Sequence, residues 1–234
     1  MPHEHISRQF DAELESIRAN VLQMGGLVES QIISAVESLL NSDVPLMQRV
    51  IEDDHRVNAL EVKIDEACSH VIARRQPTAG DLRMIMTVVK TITDLERIGD
   101  EAEKIARMAT LLSQKNAPNP PRNQEVKHAA DVALEMLRKS LDAFARLDVT
   151  LAAEVVRRDA QVDEEFRAIM RYLITFMMED PRTISTSLEI LFVAKAIERI
   201  GDHAKNIAEY VIYMVKGRDV RHVTIDEIDR EVQQ

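Results

Sequence analysis

Glu96-Arg97-Ile98-Gly99-Asp100 recurs letter for letter as Glu198-Arg199-Ile200-Gly201-Asp202, roughly 100 residues further along the chain. The flanks agree in register, since Ala102, Ile105 and Ala106 match Ala204, Ile207 and Ala208. Agreement beyond the pentapeptide marks an internal duplication and predicts two equivalent units. On a helix, Glu96 and Asp100 stand one turn apart on one face, as do Glu198 and Asp202. Like charges so placed cost roughly 0.2–0.5 kcal/mol unless a cation lies between them. Arg97 and Arg199 offer a plainer answer by pairing with neighbouring acids, and Arg97 has Glu101 one turn on. Gly99 and Gly201 are harder to account for by charge, because each costs roughly 1 kcal/mol against Ala inside a helix and the cost repeats in both halves. Something approaches closely there: a neighbouring backbone, an ion or water.

Working outward, apolar residues recur by threes and fours in six long segments, which predicts an all-α fold of two tandem three-helix bundles. Phe10, Leu14, Ile17, Val21, Met24, Val28, Ile32, Ala35 and Leu39 define the first helix over residues 7–40, with Gly25 and Gly26 marking a kink or a close crossing. Met47, Val50, Val57, Leu60, Ile64, Ala67 and Val71 define the second, stopped by Gln76 and Pro77; the third runs from Leu82 to Leu112. Pro118, Pro120 and Pro121, among asparagines, mark the boundary. The fourth helix carries Val126 to Phe144, the fifth Leu151 to Phe176 before Asp180 and Pro181, and the sixth runs from Ser185 to a cap at Gly217. The expected division is 1–117, 118–217 and a polar tail, 218–234.

If the second and third helices fold back about Pro77, Asp54 lies level with Asp100 and Asn58 with Glu96. A turn at Asp180 and Pro181 likewise sets Asp159 against Asp202 and Asp163 against Glu198. Val50 and Val57 bracket Asp54, and Val155 and Val162 bracket Asp159, so both acids stand on apolar stripes, where an unpartnered charge is expensive. Oxygen ligands grouped in fours suit Mg²⁺, Mn²⁺ or Fe, with no cysteine set to favour zinc.

Composition narrows the function. Aromatic residues are 3% and Trp is absent, as in long packed helices. A net charge of -10 argues against a nucleic-acid partner. No apolar run reaches the roughly 20 residues of a membrane span, and residues 1–10 lack a signal-peptide layout, so the expected location is the cytoplasm. The lone Cys68 sits beside an apolar stripe as a structural thiol.

These residues resemble the PhoU family of bacterial phosphate-signalling regulators over almost the whole chain. The likeness rests on the tandem acid-x-x-x-acid motifs, the repeated pentapeptide, Arg74-Arg75-Gln76-Pro77-Thr78, Glu179-Asp180-Pro181-Arg182, and the stretch from Val215 to Val223. The resemblance implies a homodimeric cytoplasmic adaptor with multinuclear metal clusters. It would act between a phosphate ABC transporter, through its ATPase subunit, and a sensor histidine kinase, holding down phosphate-starvation signalling without catalysis. The family motif maps onto Asp54, Glu96, Asp100, Asp159, Asp163, Glu198 and Asp202. Asn58 stands where the second half has Asp163, which implies a weaker first cluster. Arg74, Arg75, Arg83, Arg157, Arg158 and Arg182, near the turns, are candidate partner contacts on an acidic molecule.

Two other readings compete. Helical bundles lined with carboxylates house di-metal enzymes, and Glu52-x-x-His55 and Glu125-x-x-His128 have a ligand spacing used there. Both pairs lie off the apolar stripes and occupy non-equivalent places in the repeats. A metal-free helical scaffold with solvated acidic faces is the third reading. His55, His70, His128, His203 and His222 are read as surface residues, with His203 near enough to Asp202 to reach a metal's outer shell.

Overall fold

The computed structural model describes residues 8–114 and 124–233, and the described residues form helices and turns without a strand. The boundary expected at Pro118, Pro120 and Pro121, and with it the 117/118 division, lies outside the described residues. α1 (Arg8–Asn41) runs unbroken and buries every member of its predicted stripe from Phe10 to Leu39. At Gly25 an added Cβ would meet Leu141 Cδ1 at 2.7 Å, so this glycine serves a close crossing with the later helix that carries Leu141; Gly26 faces open space.

The second predicted helix is two, α2 (Val44–Asp53) and α3 (His55–Arg75). Asp43 caps the first, accepting from Leu46 N at 3.0 Å. At Asp54 the backbone stays helical, with φ -58° and ψ -36°, yet the ladder tightens: Val57 N donates to the Asp54 carbonyl at 2.9 Å while Asn58 N lies at 3.4 Å. His55 Nδ1 meets the Glu52 carbonyl, and a side chain entering the backbone ladder is a known cause of such breaks. Gln76 turns left-handed at φ 47°, and a Thr78–Asp81 capping box starts α4 (Ala79–Ser113).

The second half follows the same plan. α5 (Gln124–Arg146) leads to Asp148, whose carboxylate accepts from Thr150 N and Leu151 N at 3.0 Å and opens α6 (Val149–Glu179). A 3-10 turn, Pro181–Thr183, delivers the chain to α7 (Ile184–Lys216), which ends at Gly217 with φ 76°. Beyond it the expected polar tail is partly structured. α8 (Ile225–Gln233) packs on α6, Val220 and Ile228 are buried, and Arg157 pairs with Asp229. Nine residues are too few for periodicity to stand out from a charged background.

α4 and α7 are the central pair and run antiparallel. Arg83 packs at Gly217, Lys90 lies 5.5 Å from the ring centres of Tyr210 and Tyr213, and Arg199 Nη1 reaches Glu101 at 2.8 Å. On this register Gly99 and Gly201 share one level, so the two copies of the pentapeptide lie side by side. Leu95, Ile98, Ile105, Ile197, Ile200 and Ile207 are buried around them, each worth about 1.5–3 kcal/mol relative to exposure. One continuous apolar core joins both halves. No helix among the described residues is long and apolar enough to cross a membrane.

Candidate cation sites at the two acidic hairpins

Thr93 Oγ1 donates to Glu61 Oε1 at 3.5 Å and ties α3 to α4 at the expected level. Nearly two turns along α4, a Cβ on Gly99 would stand 3.4 Å from Asp54 Oδ1 and 3.5 Å from Val57 Cγ1. The buried Asp54 carboxylate accepts from Asn58 Nδ2 at 3.1 Å and from Gln31 Nε2 at 3.3 Å. Burial first, then the charges of Asp100, Glu61 and Asp54, push the Glu96 carboxyl above its ordinary value. Asp100 is raised by burial and by Asp54, Glu103 and Glu101, with Arg199 opposing. Glu61 is raised by burial, against its bond from Thr93, and by Asp65 and Asp100. Among the described residues no lysine or arginine lies within ion-pair distance of Asp54, Glu96 or Asp100.

The second hairpin is built differently. A Cβ on Gly201 would meet Val162 Cγ1 at 3.1 Å, so that glycine lets α6 approach α7. The level is shifted by about half a helical turn from the expected one, because the 3-10 turn lengthens the connection. Lys205 Nζ therefore reaches Asp159 Oδ2 at 2.6 Å. Lys195 Nζ binds Glu198 at 2.5 and 2.6 Å, and Arg167 Nη2 lies 3.3 Å from Asp163. Asp202 is raised by burial, Glu198 and Asp159, with Lys195 and Lys205 opposing. Three of the four expected acids thus carry a cation from the chain itself.

Among the described residues no three His, Cys, Asp or Glu side chains converge at metal-ligand spacing. The first hairpin nevertheless fits a hard cation in its donor chemistry. Gln31 Oε1 is buried without a hydrogen-bond partner beside Asp54, and like charges crowd one another around it. Glu61 adds a further carboxylate to the first hairpin, where Asn58 stands in the place that Asp163 has in the second. Asp54, Asn58 and Glu61 follow one another at helical spacing on one face, which the hairpin register could have revealed. Gln31 is signalled only as a polar residue between the stripe members Val28 and Ile32.

The PhoU domain family matches this sequence twice, over residues 21–109 and 126–211. The chain belongs to the PhoU family. It is 50% identical over 228 residues to the phosphate-specific transport system accessory protein PhoU of Escherichia coli K12, covering 97% of this chain and 94% of that protein. It is 49% identical over 229 residues to the homolog from Pseudomonas putida, covering 98% and 89%. The crystal structure of PhoU from Pseudomonas aeruginosa superposes with a TM-score of 0.86 at 49% identity, covering 89% of this chain and all of that one. The phosphate transport system regulatory protein PhoU from Streptococcus pneumoniae gives 0.83 at 27%, covering 90% and 99%. The all-α reading and the family resemblance both hold.

Other expected residues fall elsewhere in the PhoU fold. The six arginines do not gather into a free basic surface. Arg75 forks onto Glu13 at 2.6 and 3.0 Å, Arg158 onto Glu135 at 2.6 and 2.7 Å, Arg157 pairs with Asp229, and Arg182 with Asp180 at 2.8 Å. Arg83 packs against Gly217, and Arg74 remains exposed. His203 is buried, not solvated, with Nδ1 2.6 Å from Asp94 Oδ1, which also accepts from Asn206 at 3.2 Å; this holds α7 to α4. Glu52, His55, Glu125 and His128 are exposed, and His128 faces Glu165 at 3.4 Å. Burial pushes the Cys68 thiol up to about 11, which leaves it protonated and inert.

Proposed function

We propose that this chain is a cytoplasmic, non-catalytic accessory regulator of phosphate uptake. The observation that carries the reading is the near-full-length identity to relatives named as accessory proteins of the phosphate-specific transport system. Its partners would be the ATPase subunit of a phosphate ABC transporter and a sensor histidine kinase, and it would act as a homodimer to hold down the starvation response. The first acidic hairpin would hold a divalent or iron-type cation through Asp54, Glu61, Glu96 and Asp100, with Asn58 and Gln31 offering amide oxygens. A cation bound there would supply the positive charge that the chain itself does not bring to this group. The second hairpin, already neutralised by Lys195, Lys205 and Arg167, would bind more weakly through Asp159, Asp163, Glu198 and Asp202. The test is a strain lacking the gene, carrying a starvation-responsive reporter. Expression in high phosphate, silenced by the intact gene, supports the regulatory role; normal repression without the gene overturns it. Metal analysis of protein purified without chelator tests the cation sites separately, with the Glu96→Gln/Asp100→Asn variant alongside.

A further inference from the structure

Between α1 and the α2–α3 pair lies a cleft of about 180 Å³ lined by Ser30, Gln31 and Ser34 on one side and Arg49, Asp53 and Arg56 on the other. Leu27, Leu46, Val50 and Val57 complete its walls. We propose that this cleft binds a tetrahedral oxyanion, a phosphate group, between the two guanidinium groups and the two serine hydroxyls.

The charge around the cleft runs against the rest of the molecule. Its lining carries two arginines against one aspartate on a chain whose net charge is -10, with the Asp54 carboxylate behind Gln31 turned to the other side of that amide. Arg49 has no carboxylate partner among the described residues. Arg56 holds Asp53 only loosely, at 3.6 Å with both side chains more than half exposed, and a pair of that kind is worth about 0–1 kcal/mol. Either guanidinium is therefore available for the shorter, charge-assisted bonds that a phosphate oxygen accepts. Ser30 and Ser34 stand one turn apart on α1 and have no hydrogen-bond partner among the described residues. Arg49 and Asp53 on α2 and Arg56 on α3 form the opposite wall, so donors from three helices line one cleft.

Size decides the class of ligand. The cleft exceeds the roughly 30 Å³ share of one water several times over, yet it is smaller than the roughly 300 Å³ at which sites for drug-sized ligands begin. That room suits one phosphate group with part of its water shell, in a cleft whose mouth is open to solvent and to whatever carries the phosphate. The cleft adjoins the acidic hairpin and shares Gln31 and Val57 with it, but its proposed donors, Arg49, Arg56, Ser30 and Ser34, are not among the residues of that hairpin, and it needs no cation.

The test is isothermal titration of the full chain in buffer containing EDTA, so that phosphate bound through a metal does not register. Inorganic phosphate and phosphoserine are the probes, with chloride at equal ionic strength as the control. The expected result is one saturable site per chain. Arg49→Ala/Arg56→Ala should weaken it at least about tenfold and Ser30→Ala/Ser34→Ala about threefold, with helical content unchanged by circular dichroism. Arg49→Lys should retain part of the affinity. Tighter binding of phosphoserine assigns the cleft to a phosphoryl group carried on a protein; tighter binding of inorganic phosphate assigns it to the free ion. Absence of saturation by either probe, or equal binding by the double-arginine variant, overturns the proposal and leaves the cation sites untouched.

Discussion

At the scale of single residues, Gly25 and Gly26 separate cleanly although they adjoin. Gly26 meets nothing within 4 Å, so Gly26→Ala should stabilise the chain by about 0.5–1 kcal/mol, read as a higher denaturation midpoint with unchanged cooperativity. Gly25→Ala drives a methyl into Leu141 and should gain less or nothing. Glu209, buried on α7 near Lys205, Asp159, Arg221 and Asp219, is raised by burial from 4.5 to about 7. The folded chain thus keeps a proton there that the unfolded chain releases near 4.5. Because the native state binds the extra proton, stability falls as pH rises through that window, by about 1.4 kcal/mol per unit from this group. Melting temperatures should decline between about pH 5 and pH 7, and Glu209→Gln should flatten that decline; an unchanged slope would remove Glu209 as its source. Sequence revealed Asp54 as an acid on an apolar stripe, but not Gln31, whose meaning depends on a hydrogen bond to that same Asp54, 23 residues further along the chain.

Among the elements, helix faces and most helix ends were legible, because period and caps are local. The break at Asp54 was not, since it turns on where the His55 ring points. Hairpin register was legible on the first side, where Pro77 closes a short turn, and slipped on the second, where a 3-10 turn intervenes. The glycines of the repeated pentapeptide announced close approach without saying to what. Gly99 faces Gln31 and Asp54, whereas Gly201 faces Val162. Gly201→Ala should therefore cost about 1–3 kcal/mol by overpacking α6 against α7, and adding Val162→Ala should recover part of the loss. Additive effects in a double-mutant cycle would show that the two positions do not meet.

For the whole molecule, the sequence revealed two units but not that they share one core, because residues of α4 and α7 that pair across the seam are too far apart for any local pattern. His203 is the cost of that blindness: read as a surface residue, it lies buried on Asp94 at the seam, where Arg199 also reaches Glu101. Divalent Mn²⁺ or Mg²⁺ should raise the melting temperature in a saturable way, since a ligand of the folded state stabilises by mass action. Glu96→Gln/Asp100→Asn should abolish most of the response, and Lys205→Ala should enlarge the share due to the second hairpin. Equal stabilisation by a monovalent salt at the same ionic strength would reduce the effect to screening. The antiparallel seam also bears on how such a chain changes over time. In a symmetric pair of identical subunits every substitution appears twice; here a lysine acquired beside Asp159 leaves Asp54 untouched. Covalent joining therefore lets one half keep a built-in counter-charge while its twin stays open, so that mutation can tune either hairpin without detuning the other.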